Sequence, residues 1–232
     1  MKEQSKQNEQ FSQTPVSGSR YVPMLFSTEM VEAILNGTKT ETRRIVKFPS
    51  DFEGKVYNNG IYGLKYSSIL FDGNLKRLFP KIEFGDIIWV RETFRPIEQE
   101  IGKPRYEYKA SEKVNLKDKW KPSLFMPKDA CRIFLKCVSA RAERLQDIDE
   151  KSAINEGIED MLLNVDTPAT AYRNYMATYK DLQKDHWSHV ANDAVESYMT
   201  LWQKINGKES WEKNPFVWVY KFEVIKCPHD FR

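Results

Sequence analysis

The sequence has few cysteines, no long apolar run and no leader-like start. Its 232 residues include three cysteines, Cys131, Cys137 and Cys227, and an odd number without a repeated spacing argues against a disulfide framework. A reducing compartment is therefore expected. No apolar run approaches the roughly 18 residues that a membrane span needs, and the opening MKEQSKQNEQ has no apolar signal region. These absences predict a soluble, cytoplasmic protein without a membrane partner.

Motifs that bind metals, nucleotide phosphates or acyl groups are also missing. His186 and His189 lie close together, as do Cys227 and His229, but neither pair has a second pair at the spacing of a zinc site. The chain has no glycine-rich phosphate loop, no dinucleotide fingerprint and no G-x-S-x-G elbow. We therefore expect neither a metal nor a cofactor.

Aromatic and charged residues, by contrast, are plentiful. The chain has 13 phenylalanines, 11 tyrosines and 6 tryptophans, and such rings either fill a small core or stack on bases. Charged residues make up 30% of the chain, with a formal net charge of +3. This mildly basic balance permits a nucleic-acid partner but does not require one.

The order of the predicted elements indicates an α+β domain. Residues 1–20 are polar and are predicted to form a disordered tail, whereas residues 21–228 are predicted to form a single domain with insertions. Capping residues and apolar stripes predict helices over 28–36, 149–157 and 186–205. Apolar runs predict strands over 21–26, 40–46, 87–94, 105–109, 132–138 and 216–225. We expect the strands to form a small β-barrel that the helices flank.

Three segments of the chain together carry a family resemblance. The first runs from Pro23 to Ser27 and continues through GTKTETRR at 37–44, and the second is GDIIWVRE at 85–92. In the third, at 131–158, a strand leads to a helix that ends in Glu156-Gly157. This order is similar to the ASCH family, a branch of the PUA-like superfamily, and the run at 201–225 resembles its phage- and prophage-borne members. The likeness covers about residues 22–225.

The resemblance implies a fold and a field of activity. It implies a small PUA-like β-barrel with flanking helices and a cleft lined by the G-x-K-T-x-T-x-R segment, where Thr40, Arg43 and Arg44 are expected to meet a ligand. It also implies work on RNA, which is binding in some members and ribonuclease or amidohydrolase activity in others.

The acetylcytidine amidohydrolases of this family use a lysine, a threonine three residues later and a distant glutamate. The matching positions are Lys39, Thr42 and Glu156. A lysine whose pKa is lowered by burial can take a proton from the threonine hydroxyl, which then attacks an acyl carbon while the glutamate orients the pair. Positions 39 and 42 face opposite sides of a regular strand, so this arrangement requires Lys39 to lie in the turn after Gly37.

Further ligand contacts are predicted outside that segment. Adjacent arginines such as Arg43 and Arg44 suit phosphate, because guanidinium forks match phosphate oxygens. On the strand over 87–94, two interpretations of Trp89 stay open: a base-stacking residue with Arg91 and Glu92 beside it, or a core residue beside surface ion pairs. Residues 103–121 are locally basic and hold Tyr106, Tyr108 and Trp120 among their lysines. Such a mixture is typical of single-stranded nucleic-acid sites or of a solvated loop, and it makes Lys109 and Lys119 candidate contacts.

Three functions follow as hypotheses. The first is binding of RNA, a nucleotide or a modified nucleoside in the cleft. The second is hydrolysis of RNA or of a modified nucleoside by Lys39, Thr42 and Glu156. The third is a phage accessory role in which an exposed patch of Trp211, Phe216 and Trp218 binds a host protein.

Overall fold

The structure is a computed structural model that describes residues 20–49, 52–58, 64–68, 75–97, 102, 105–111, 119–161, 171–178 and 189–231. Residues 1–19 of the predicted tail and part of the basic segment, at 103–104 and 112–118, lie outside the described residues. The same holds for Trp187, which was predicted to begin the apolar stripe of the last helix.

A five-stranded sheet forms the centre of the molecule. Its strands, in their order across the sheet, are β1 (Tyr21–Leu25), β6 (Ile87–Arg91), β9 (Phe134–Arg144), β13 (Phe216–Ile225) and β2 (Glu41–Ile45). Only β1 and β6 pair in parallel, and the other three pairings are antiparallel. The strand β13 is central because its first half is apolar on both faces, as FVWVY predicts.

Eight further strands form three small sheets. These are β3 (Phe52–Asn58), β4 (Leu64–Ser68) and β5 (Leu75–Leu78); β7 (Phe94–Ile97) and β8 (Arg105–Tyr108); and β10 (Asp160–Met161), β11 (Ala171–Arg173) and β12 (Val190–Ala191). The α+β class is therefore confirmed. The pairings among the described strands do not close into a barrel.

Three α-helices accompany the sheets in the described ranges: α1 (Thr28–Leu35), α2 (Glu150–Asn155) and α3 (Ala194–Asn206). The prediction that the last helix begins at 186 was wrong. Val190 and Ala191 belong to β12, and the carboxylate of Asp193 caps the first turn of α3 by accepting from the Glu196 backbone N–H.

The two faces of the central sheet bury different cores. On β13, Trp218 and Tyr220 pack on one face with residues of α1, whereas Val217 and Val219 pack on the other face with Tyr198 and Trp202 of α3. This division assigns each side chain of the neighbouring β2 to the α1 side or the α3 side, because side chains alternate along a strand.

None of the helices within the described ranges is both long and apolar enough to cross a membrane.

Buried tyrosines predict a loss of stability in alkali. Burial raises the pKa of Tyr108, Tyr175 and Tyr220 to about 12, whereas unfolded tyrosine ionises near pH 10. Between about pH 10 and 12 the unfolded state therefore binds fewer protons, and the free energy of unfolding falls as the pH rises through that window. Melting temperatures should fall as the pH rises through this window. The phenolate absorbance of these three tyrosines should develop at a higher pH than that of unfolded tyrosine. If all 11 tyrosines of the chain had ionised near pH 10 while the protein remained folded, this assignment would be contradicted.

Candidate functional site

Lys39 lies in the turn between α1 and β2, as the family pattern required. Gly37 ends α1 with a φ of +77°, and the backbone N–H of Lys39 then donates to the Ala33 carbonyl at 3.0 Å. The side chain is only 1% exposed, although lysine is rarely buried without a partner. Its partner is Glu156, with which Lys39 also forms an isolated β-bridge.

Glu156 is the C-terminal cap of α2, and its side chain is held by two cations. The ammonium of Lys39 donates to Glu156 Oε2 at 2.5 Å and to the Glu156 carbonyl at 2.8 Å. Nη1 of Arg43 donates to Oε1 at 3.1 Å. A helix C-terminus is unfavourable for an acidic side chain, so these two cations offset both the helix dipole and the burial of the carboxylate.

The surroundings of Lys39 and Arg43 shift their pKa values in opposite directions. Burial lowers the pKa of Lys39, against the opposing attraction of the Glu156 carboxylate. Burial also works against the charge of Arg43, but the nearby carboxylates, Glu156 foremost, hold the pKa of Arg43 above its ordinary value. Arg43 therefore stays a cation, while Lys39 is the group whose proton is more easily lost.

The pair belongs to a larger ionic network on the α3 side of the sheet. Arg43 donates to Glu143 Oε1 through Nε at 2.9 Å and Nη2 at 2.7 Å. Arg141 joins Glu143 at 3.1 Å and the buried Glu41 at 3.4 Å. The sequence analysis missed Arg141 and Glu143, although the alternation of SARAER at 139–144 places both on one strand face.

Thr42 and Arg44 lie on the opposite face of β2. Thr42 is fully buried opposite Tyr220, and its Oγ1 accepts from Nη1 of Arg44 at 2.7 Å. Nη2 of Arg44 donates to the Leu25 carbonyl at 3.0 Å, and its guanidinium lies 5.2 Å from the ring centre of Phe26. The structure thus brings Lys39 and Glu156 together, whereas Thr42 hydrogen-bonds with Arg44 instead.

Two adjoining cavities open beside Glu156. The first, of about 590 Å³, lies between β2, the start of α1 and α3, and we call it the β2–α3 cleft. The second, of about 1000 Å³, lies between α1, α2 and α3 and is lined by Thr40. Both share Met30, Glu156 and Leu201 as walls.

The β2–α3 cleft is basic. Arg43, Arg44 and Lys47 line it against the single carboxylate of Glu156. None of the carboxylates in the described part of the chain lies within ion-pair distance of Arg44. Among the described residues, Arg44 is therefore the guanidinium of the cleft that forms no ion pair with a carboxylate.

Trp89, Arg91 and Glu92 lie away from both cavities. Glu92 is buried in a two-pronged ion pair with Arg132, whose Nε and Nη2 each donate at 2.8 Å. The guanidinium of Arg91 lies 5.5 Å from the ring centre of Trp89, and its Nη2 donates to the Leu124 carbonyl. This strand therefore does not belong to the cleft.

The remaining predicted contacts, Lys109 and Lys119, do not line the cleft. Lys109 is half-buried, and its backbone N–H bonds the Thr93 carbonyl at 3.0 Å, whereas Lys119 is exposed. The aromatic patch expected to bind a protein is enclosed, because Trp211, Phe216 and Trp218 are all buried.

The described residues contain no group of three or more His, Cys, Asp or Glu side chains arranged to hold a metal ion. Comparison with models of known protein families finds no match to this chain. Comparisons with curated proteins and with solved structures find no match either.

Proposed function

We propose that this chain binds RNA, or a nucleotide or modified nucleoside, in the β2–α3 cleft. The observation that carries the proposal is the position of Arg44, which lines the cleft without a carboxylate partner among the described residues. Arg43 in the same cleft is neutralised by Glu143 and Glu156. A half-buried guanidinium without a counter-charge attracts an anion, and phosphate is the anion that matches its fork.

Arg44 is already oriented for such a contact. It makes three hydrogen bonds within the described chain, to Thr42 Oγ1 and to the Arg43 and Leu25 carbonyls. An arginine has five N–H donors, so two remain for phosphate oxygens. Lys47 lines the same cleft and is exposed, which provides a second, mobile cation for the phosphate backbone.

The size and walls of the cleft suit a nucleoside. Its volume of about 590 Å³ falls within the range of small-molecule sites. Phe26, Tyr198 and Trp202 contribute to its walls, and aromatic rings and guanidinium planes are the usual surfaces on which unpaired bases stack.

Glu156 supplies a hydrogen-bond acceptor for the ligand. Each of its oxygens accepts from one cation, Lys39 or Arg43, and an ionised carboxylate has about four acceptor positions. The remaining positions suit the amino or imino N–H groups of a base.

Family membership and location are part of the same proposal. The ASCH resemblance, with its PUA-like barrel, fits the buried contact between the GTKTETRR segment and the Glu156-Gly157 helix end. A cytoplasmic location fits the cysteines Cys131, Cys137 and Cys227, all of which are free.

Hydrolysis is the second candidate, and one observation favours it. Burial lowers the pKa of Lys39, which lies within hydrogen-bond distance of Glu156 as a proton-transfer pair would. Thr42, however, is enclosed on the other face of β2, and neither Lys39 nor Thr42 lines the cleft. Mass spectrometry of RNA and acetylated cytidine after incubation tests this candidate, since a product that the Lys39→Ala protein does not form would establish it.

Two charge-removing substitutions test the binding proposal. Because Lys47 and Arg44 are proposed to hold phosphate, Lys47→Ala should weaken single-stranded RNA binding by roughly three- to tenfold. The slope of log affinity against log salt should become shallower by about 0.7 for the lost contact. Arg44→Gln should weaken binding at least as much, because it removes the better phosphate donor. Titrations at several salt concentrations measure both effects.

Lys226→Ala is the matched control. Lys226 is exposed, lines neither cavity and carries the same charge as Lys47. An equal loss in all three variants would mean that only net charge matters. Unchanged binding by Lys47→Ala and Arg44→Gln would exclude the cleft as the site.

A further inference from the structure

Three aromatic side chains from neighbouring strands share one face of the central sheet. Trp89 of β6 lies directly opposite Phe134 of β9. Pro23 of β1 pairs with Trp89, so Tyr21, two residues earlier, faces the same way. The other face of these strands carries the core, including Leu135. We call the three residues Tyr21, Trp89 and Phe134 the aromatic platform.

The ring of Phe231 covers the aromatic platform. Its centre lies 4.7 Å from that of Phe134, 5.1 Å from that of Tyr21 and 6.1 Å from that of Trp89, all in tilted or edge-on orientations. The ammonium of Lys128 lies 4.5 Å from the centre of the same ring. One side chain is thus held between aromatic rings and a cation, an arrangement that also suits a base and its phosphate.

The segment that carries Phe231 is held by few contacts. It follows β13, which ends at Ile225, and it folds back through a turn in which the Phe231 N–H donates to the Pro228 carbonyl at 3.2 Å. The hydroxyl of Tyr21 donates to Asp230. Because Phe231 is itself only half-buried, exchanging its ring for another ring of similar size loses little contact.

A second cation beside the aromatic platform has a hydrogen-bond donor without an acceptor. Nε of Arg91 is buried and has no partner in the described chain, although its guanidinium lies next to Trp89. A buried donor without an acceptor is costly, so a ligand oxygen that reached Nε would relieve that cost.

We infer that the aromatic platform is a base-stacking site for single-stranded RNA and that Phe231 occupies it in place of a base. Tyr21 and Trp89 would stack on the base, while Lys128 and Arg91 would hold the adjoining phosphates. This site is separate from the β2–α3 cleft, but the inference rests on the proposed function for its ligand class. Phe231 and RNA then compete for the aromatic platform. Removal of the Phe231 ring therefore strengthens RNA binding by the factor by which the covered platform outweighs the open platform at equilibrium.

Substitution of Phe231 tests the inference. With a single-stranded oligouridylate of about eight nucleotides as the probe, Phe231→Ala should bind about tenfold more tightly than the wild type. Adding Trp89→Ala to that variant should abolish the gain. Phe84→Ala is the matched control, because Phe84 is an exposed ring outside the aromatic platform and its loss should leave the affinity unchanged.

The outcomes separate this inference from the cleft proposal. If Phe231→Ala leaves affinity unchanged or weakens it, the ring is a structural cover and the inference fails, even if Lys47→Ala weakens binding. If neither the wild type nor Phe231→Ala binds the probe, both fail. Binding that appears only in Phe231→Ala supports the aromatic platform and counts against the cleft. Should Phe231→Ala not fold, Asp230→Ala removes the acceptor of the Tyr21 hydroxyl and must tighten binding in the same direction for the inference to stand.

Discussion

Replacing Gly157 with alanine is expected to destabilise the protein by about 2–5 kcal/mol and to weaken ligand binding in the cleft. Gly157 has a φ of +81°, where a β-carbon is strained. An added Cβ would also lie 2.7 Å from Cβ of Lys39 and 2.8 Å from Cβ of Ala33. Both neighbouring atoms are fixed to the backbone, so the turn that positions Lys39 must shift. Thermal and denaturant unfolding measure the loss.

The Gly85→Ala variant separates the two causes of the loss, which are backbone strain at a positive φ and the close contacts of the added Cβ. Gly85 has a similar φ of +86°, but an added Cβ there meets no atom within 4 Å. This control should lose only the conformational part, about 1–2 kcal/mol. If Gly157→Ala is no worse than Gly85→Ala, then the close packing of Gly157 against Lys39 is not a constraint on the fold.

Replacing Glu156 with glutamine is expected to cost about 3–5 kcal/mol at neutral pH. The substitution leaves the buried ammonium of Lys39 with neutral oxygen acceptors and no counter-charge, while Arg43 keeps Glu143. Without the carboxylate, burial lowers the pKa of Lys39 further. The folded state then releases this proton before the unfolded state does, so the deficit should shrink as the pH rises toward about 10. Unfolding free energies measured across that pH range give both the loss of stability and the direction in which the loss changes with pH.

Lys39→Met in the same chain tests the cause of that loss. The double variant has no buried ammonium, and replacing a buried ion pair with uncharged groups of similar volume is often close to neutral. We therefore expect it to regain much of the stability that Glu156→Gln loses. If the double variant loses as much unfolding free energy as the two single variants lose together, Lys39 and Glu156 are not energetically coupled.

Local patterns predicted most of the sheet. The continuous apolar run of FVWVY predicted a strand buried on both faces, and the first half of β13, an interior strand of the sheet, is buried in this way. The predicted start of α3 was wrong because Ala191 continues the apolar spacing of the helix, although it lies in β12. The cap at Asp193 was not predicted, because no local rule ranks a capping residue above an apolar stripe.

The candidate site was predicted only in part. The family pattern paired Lys39 with Glu156 across 117 positions, and the two residues are in contact. Arg43 and Arg44 were predicted to act alike, but alternation along β2 directs Arg43 to the carboxylates of Glu143 and Glu156 and leaves Arg44 without a carboxylate partner among the described residues. Sequence spacing gives the face of a strand but not the partner across the sheet, so this difference required the structure.

The cover over Trp89 could not be predicted for a similar reason. The sequence places Trp89 and Arg91 on one strand face, but it cannot show that Phe231, 142 residues later, packs on that face. A contact over that separation depends on the whole sheet order, in which β6 and β13 both flank β9.

Photo-crosslinking tests the central claim most directly. Single-stranded RNA that contains 4-thiouridine is bound to the wild-type protein at low salt, irradiated and digested, and the crosslinked peptides are identified by mass spectrometry. The account predicts crosslinks in β2 and α3, around Arg44 and Trp202, which Lys47→Ala reduces and Lys226→Ala does not. Saturable RNA binding with no crosslink in either element, or no saturable binding at all, would contradict it.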